Sequence, residues 1–299
     1  MSRRVDLGGV WFWLSLAALV VLCVFILYPL FNVLASRFGA ARADGRSGWQ
    51  VLFAEPRYLR AVGNTVLLGL IVTGTTTLIG VPLAYVTARF RFPGKALIAI
   101  LPLTTLIVPE VIAAQPWLMM LGNNGLITRA LADWGIPVPS FYGWPGLIIV
   151  MTFIYYTYVY MGTLAAIRGF DHQLEQAAQS LGASPGKARF DVMLPVVLPA
   201  ILASALLVFT LVVGNFAVAT ILGHKVELLS VITYQTFVSE VGADPVMQST
   251  LASVSIGIVA LALFFQRFVL ARGRYEITLG RGAQPVRLYR TGDRVRQLE

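Results

Sequence analysis

The stretch Gly182-Ala-Ser-Pro-Gly186-Lys187 carries the residue types of a phosphate cradle: glycines for close backbone approach and a lysine for charge. Such a loop needs four residues between its glycines and a Ser or Thr after the lysine, so that a hydroxyl can hold Mg²⁺. Here three residues separate the glycines and Ala188 follows the lysine. This chain is therefore expected not to hydrolyse ATP itself. Metal or general-base chemistry has equally little to work with. The only histidines, His172 and His224, are far apart in sequence, and the single cysteine, Cys23, lies in an apolar run where no intrachain disulfide can form. No catalytic residue, cofactor or metal site is expected.

One acid stands apart. Glu110, in "LIVPEVIAAQPW", interrupts an apolar run and follows Pro109, a residue that frees nearby backbone carbonyls. An ionisable group inside a membrane is costly and marks function by default. The competing reading is a glutamate neutralised by a polar neighbour or lying near the outer interface. Gln115 and Asn215 are weaker candidates for the same path, since amides in spans also serve as interhelical glue. Tyr155 and Tyr158, in a cluster with Tyr156 and Tyr160, either line that path or pack the span.

The elements that must position these residues follow from composition. Of 299 residues 57% are hydrophobic and only 12% charged, against about 25% charged in soluble domains, and mean hydropathy is +0.76. A helical span needs about 20 mostly apolar residues. Six such runs are read, at 10–34, 63–88, 96–121, 145–167, 196–222 and 248–270. The first is too long for the core of a secretory signal, so an uncleaved anchor is expected. The fold class is thus all-α: a polytopic membrane helical bundle with six transmembrane helices in one domain, 1–271, followed by a basic tail, 272–299.

A net charge of +9 raises the question of nucleic acid, but the arginines cluster beside apolar spans and no base-reading or stacking motif accompanies them. The positive-inside rule accounts for them better. With both termini cytoplasmic, Arg3, Arg4, Arg89, Arg91, Lys95, the 171–195 segment and the tail share one side, which holds most of the 23 basic residues. Arg37, Arg42, Arg46, Arg57 and Arg60 in the first external loop run against that trend. The Arg-rich tail is expected to touch anionic lipid or a partner, or to be a solvated extension.

The 171–195 segment is unlike its surroundings. Leu174, Ala177, Ala178 and Leu181 recur at helical spacing beside Glu175, Gln176 and Gln179, which makes a short amphipathic helix. Gly182 suits a left-handed C-terminal turn, and Ser184-Pro185 supplies an N-cap and a first-turn proline for a second short helix ending near Leu194-Pro195. Two such helices cannot bury their stripes alone. A protein surface, the chain's own bundle or a lipid surface must cover them.

Gln176-Ala177-Ala178, Gly182-Ala183 and Leu194-Pro195 resemble the EAA loop of permease subunits of binding-protein-dependent ABC importers, with Gln176 at the usual glutamate position and Glu175 displaced by one. Asn64-Thr65, "RFRFPGK" (89–95) and "LGNNGLI" (121–127) agree, so the resemblance spans about residues 60 to 270. It implies that 171–195 is the cytoplasmic coupling loop of a bacterial inner-membrane subunit. Glu175, Gln176, Ala177, Ala178, Gly182, Leu194 and Pro195 would then meet an ATP-binding subunit. It further implies two such ATP-binding subunits, a second permease chain, the same or related, and an extracytoplasmic solute-binding protein. "VGNFAVATILG" (213–223) is similar to the spermidine/putrescine, ferric-iron and aminoethylphosphonate branch, implying a small charged solute. That branch often carries an acid where this chain has Asn215. A secondary transporter would commonly show an internal repeat and paired intramembrane charges, which are not evident here; a membrane scaffold would leave the glycine-broken loop unexplained.

Overall fold

Lipid offers a backbone amide no hydrogen-bond partner, so a chain this apolar must satisfy its backbone within helices. The computed structural model describes residues 10–35, 40–42, 44–91, 93–238 and 244–272, and helices dominate it. In chain order these are α1 (Val10–Leu22), a π-helical turn (Cys23–Leu27), α2 (Tyr28–Ala35), α3 (Gly48–Ala54), α4 (Pro56–Arg89), α5 (Lys95–Ile107), α6 (Glu110–Leu121) and α7 (Leu126–Asp133). There follow α8 (Trp144–Gly169), α9 (His172–Ser180), α10 (Pro185–Ala188), a second π-helical turn (Arg189–Met193), α11 (Leu194–Gly214), α12 (Ala217–Leu222), α13 (Leu229–Val238) and α14 (Pro245–Arg272).

Five continuous helices are long and apolar enough to cross a membrane: Phe12–Asn32, Pro56–Arg89, Trp144–Gly169, Pro185–Gly214 and Pro245–Ala271. The third expected span, 96–121, is not one helix. It breaks between α5 and α6 with a bend of 111°. Pro109 causes this, because it lacks an N–H and forces its predecessor out of helical geometry; Val108 is extended at φ −80°, ψ 123°.

Two further expectations need correcting. The span read as 196–222 stops at Gly214, where Asn215 turns extended, and α12 is a separate short helix. The second loop helix does not end at Leu194-Pro195 either. It continues through the π-helical turn into α11, the Leu194 N–H reaching back five residues to the Arg189 carbonyl. Pro195 cannot donate to the ladder and its ring crowds the preceding turn, and the wider turn relieves both problems. The tail 273–299, with the amino-terminal Arg3 and Arg4 and the loop Arg37, lies outside the described residues.

α4, α8 and α11 form the centre. Leu68 and Val72 of α4, Leu147, Val150 and Met151 of α8, and Val208 and Val212 of α11 make one buried cluster. Between helices in lipid there is little hydrophobic driving force, so close packing and hydrogen bonds do the holding. Gly80 shows this directly, since a Cβ there would stand 3.0 Å from the Tyr156 carbonyl oxygen and the Tyr160 nitrogen. Thr75 and Thr152 hydroxyls meet at 2.6 Å across the same contact, and Thr157 of α8 donates to the Pro102 carbonyl of α5 at 2.8 Å. The first and last spans have no buried residues in their apolar windows.

Candidate functional site

The loop after α8 is built by the caps its sequence advertises. The Asp171 carboxylate accepts the Gln173 N–H at 2.9 Å and so opens α9. At the other end, the Ala183 N–H reaches the Ala178 carbonyl (3.0 Å) and the Gly182 N–H the Gln179 carbonyl (2.9 Å). This paired closure requires a left-handed residue, and Gly182 stands at φ +93°. Ser184 Oγ then accepts the Lys187 N–H at 3.3 Å, with Pro185 in the first turn. A rigid joint between α9 and the helix leading into α11 results.

What α9 buries is not what its stripe suggested. Glu175, expected to point at a partner, is turned inward, and both its oxygens accept from Nη2 of Arg89, the last residue of α4. Arg89 Nη1 also meets His172 Nδ1 at 2.9 Å, which adds the exposed His172 to the strap. The polarity suits both helices, a cation at the C-terminus of α4 and an anion in the first turn of α9. The apolar side chains of the arm remain uncovered: Leu174 is 45% exposed, Leu181 90% and Phe190 70%. Gln176 and Ala177 are exposed beside them, Ala178 is half-buried, and Leu194 and Pro195 are partly covered where the arm joins α11. Arg89 was missed as a site residue. Its signal was available: a cation ending a span on the same side as the displaced Glu175.

Deeper in the bundle, three of the five expected path residues converge. The Tyr155 hydroxyl donates to Glu110 Oε1 at 2.8 Å, and Asn215 Nδ2 approaches Glu110 Oε2 and the Tyr155 oxygen at 2.6 Å each. Asn215 Oδ1 accepts the N–H groups of Val218 (2.9 Å) and Ala219 (3.3 Å), capping α12, while its carbonyl accepts the Ser230 hydroxyl at 2.7 Å. The node therefore joins the break between α5 and α6, the middle of α8, and the break between α11 and α12. Tyr158 lies next to it, its ring 6.2 Å from that of Tyr155. Gln115 does not join; it is exposed on α6, five residues and more than a third of a turn from Glu110.

A lipid-spanning bundle in which one broken crossing and the end of α11 are tied at a polar node, with a jointed arm outside the bundle, fits the membrane subunit of a transporter. This chain belongs to the family of binding-protein-dependent transport system inner membrane components, whose pattern matches residues 76–274. It is 31% identical to the probable ABC transporter permease protein y4fN of Sinorhizobium fredii over 92% of this chain, but spans only 49% of that protein. It is 29% identical to the sulfate transport system permease protein CysT of Escherichia coli, covering 88% of this chain and 92% of CysT. It is 26% identical to the putative 2-aminoethylphosphonate transport system permease protein PhnU of Salmonella paratyphi A, covering 84% and 88%. Among solved structures, the bacterial alginate ABC transporter in complex with its pentasaccharide-bound periplasmic protein contains a chain that superposes with a TM-score of 0.71 at 18% identity, covering 90% of this chain and 98% of that one. That likeness is one of fold.

Proposed function

We propose that this chain is the permease subunit of an ATP-binding-cassette importer, forming half of the translocation pore and coupling ATP hydrolysis by separate subunits to uptake of a small charged solute. The observation that carries this reading is the arm at 172–190. Both its short helices are capped and it is strapped to α4, yet Leu174, Leu181 and Phe190 stay uncovered. A groove on an ATP-binding subunit is the partner that covers them, contacting Gln176, Ala177 and Ala178 as well. Glu175 serves the strap.

Closure of a pair of ATP-binding subunits then moves the groove, the groove moves the arm, and force enters the bundle at two points: α11 through the continuous helix from Pro185, and α4 through Arg89. The bundle exchanges inward-open for outward-open states, an equilibrium biased by ATP and by the docked binding protein. Half a pore requires a second permease chain, the same or related; sulfate relatives of this chain carry two names, CysT and CysW. In this reading residues 1–271 form one membrane domain with spans near those expected, 272–299 is a cytoplasmic tail, and both termini lie in the cytoplasm.

The solute passes the node. Glu110, Asn215 and Tyr155, with Tyr158 adjacent, are the proposed path; Gln115, exposed farther along α6, stands apart from the node and is at most a peripheral contact of the same path. The family branch suggested polyamine, ferric iron or phosphonate, and relatives named for 2-aminoethylphosphonate, sulfate and molybdenum transport support an anionic member of that range. Reconstitution tests the reading: this chain, with a cognate ATP-binding subunit and binding protein, should take up solute in proteoliposomes only with ATP on the side of the arm and binding protein on the other side. Uptake that runs without nucleotide would instead support a secondary transporter.

A further inference from the structure

At the end of α4 farthest from Arg89, a cavity of about 700 Å³ opens between the first turns of α4, the 223–228 connection and α13. Its polar lining includes Arg57, Arg60, Asn64, His224, Lys225, Glu227 and Gln235, the last accepting from Arg57 Nη2 at 2.8 Å, and Ala219 and Thr220 of α12 line it too. The walls are fixed. Asn64 Nδ2 donates to the Glu227 carbonyl at 3.0 Å, and the Leu229 N–H donates to Thr65 Oγ1 at 2.9 Å.

The charges nearby divide into two groups. In the preceding loop, cations and acids match: Arg42 lies 2.6 Å from Asp244 and 3.5 Å from Asp44, and Arg46 lies 2.9 Å from Asp44. In the cavity they do not. Arg60 Nε meets Glu227 at 2.9 Å, Arg57 Nε stands 3.8 Å from the same carboxylate, and no acid among the described residues pairs with Lys225. Three cations share one acid, leaving a formal excess of two positive charges in a concave wall. Such a surface focuses potential and raises the local concentration of anions. In the proposed orientation it also stands on the side of the bundle where the positive-inside rule disfavours arginine, so membrane insertion would not explain it.

We propose that this cavity is an anion-receiving vestibule, which takes the charged group of a small oxyanion or phosphonate-like solute before it passes α12 to the node. The inference rests on the importer reading and narrows its solute to an anion. Lys225 recognises the anion as a point charge and the two arginines frame it, with Glu227 keeping them apart and oriented.

The chain has three lysines, Lys95, Lys187 and Lys225, which makes the vestibule addressable. The full chain in phosphatidylcholine nanodiscs is acylated with a limiting N-hydroxysuccinimide ester, and each lysine is read by peptide mass spectrometry. Sodium sulfate and sodium molybdate are the probe anions, against sodium chloride at equal ionic strength. The expected result is selective protection of Lys225, about threefold at twice the dissociation constant, from the occupancy factor 1 + [L]/Kd. Lys95 and Lys187 should not change, and protection should vanish in both Arg60→Gln and Arg57→Gln. Equal protection by chloride would reduce the effect to screening and overturn the proposal. Protection that appears only when phosphatidylglycerol is added, without either probe, would assign the cavity to a lipid headgroup and overturn it too. Neither outcome touches the arm's docking on an ATP-binding subunit, which cross-linking reads separately.

Discussion

Removing one partner of the Arg89–Glu175 strap should detach α9 from α4 while leaving both spans in place. The side chains of the pair are 18% and 9% exposed, so the pair is largely desolvated. Breaking a buried ion pair by deleting one partner costs about 3–5 kcal/mol, because the survivor is left uncompensated. Arg89 Nε is buried without an acceptor among the described residues, and water can reach the site from the exposed arm, so the lower end applies. At about 3 kcal/mol, with 1.4 kcal/mol per tenfold, the undocked arm gains on the order of 100-fold in population. Glu175→Gln and Arg89→Ala are the perturbations. In proteoliposomes each should hydrolyse ATP at near-normal rate while solute taken up per ATP falls severalfold, and amide exchange across 174–181 should accelerate. The paired replacement Arg89→Met with Glu175→Met, which removes both charges and keeps volume, should recover much of the loss. Wild-type uptake per ATP together with unchanged exchange in Glu175→Gln would refute the reasoning.

Gly182→Val should insert normally yet uncouple ATPase activity from uptake. Open space surrounds Gly182, but at φ +93° a side chain costs about 1–2 kcal/mol and a β-branched one more; Gly182→Asn should be much milder, and intact transport by the valine variant would contradict the joint. Glu110→Gln keeps a hydrogen-bonding group in the node but replaces its carboxyl, so uptake kinetics should shift in KM, and unchanged kinetics would remove Glu110 from the path. Asn215→Ala deletes the cap of α12, worth about 1 kcal/mol, and two contacts of the node; it should lower transport more than Gln115→Ala does. Truncation after residue 275 should reduce membrane yield more than specific activity, and selective loss of ATP-binding subunit would show that the tail docks instead.

The helices were legible because lipid imposes a simple rule, a run of about 20 apolar residues per crossing. The caps were legible for the same kind of reason: Ser184-Pro185 and Gly182 each satisfy a local requirement, and each is found in its expected role. Errors came where local chemistry competes within one apolar run. Pro109 broke the third crossing, Asn215 ended the fifth before its apolar residues ran out, and Pro195 was absorbed by a π-helical turn instead of ending a helix. Hydropathy is blind to all three. Glu175 was misdirected because periodicity identifies faces of a helix but not which face a distant residue claims, and Arg89 lies 86 residues earlier. The node was half legible. Glu110, Asn215 and Tyr155 each stood out by residue type, while their convergence depends on the two breaks that sequence reading smoothed over.

The claim beneath all of this is that force enters through the arm at 172–190, and Leu181, the most exposed of its large apolar side chains, is the residue to ask. Leu181→Cys, in a background where Cys23 is replaced by Ser, should cross-link to the ATP-binding subunit in native membranes and resist an impermeant maleimide applied from outside intact cells. Modification from outside, or capture by nothing except photoactivatable phospholipid, would contradict the account.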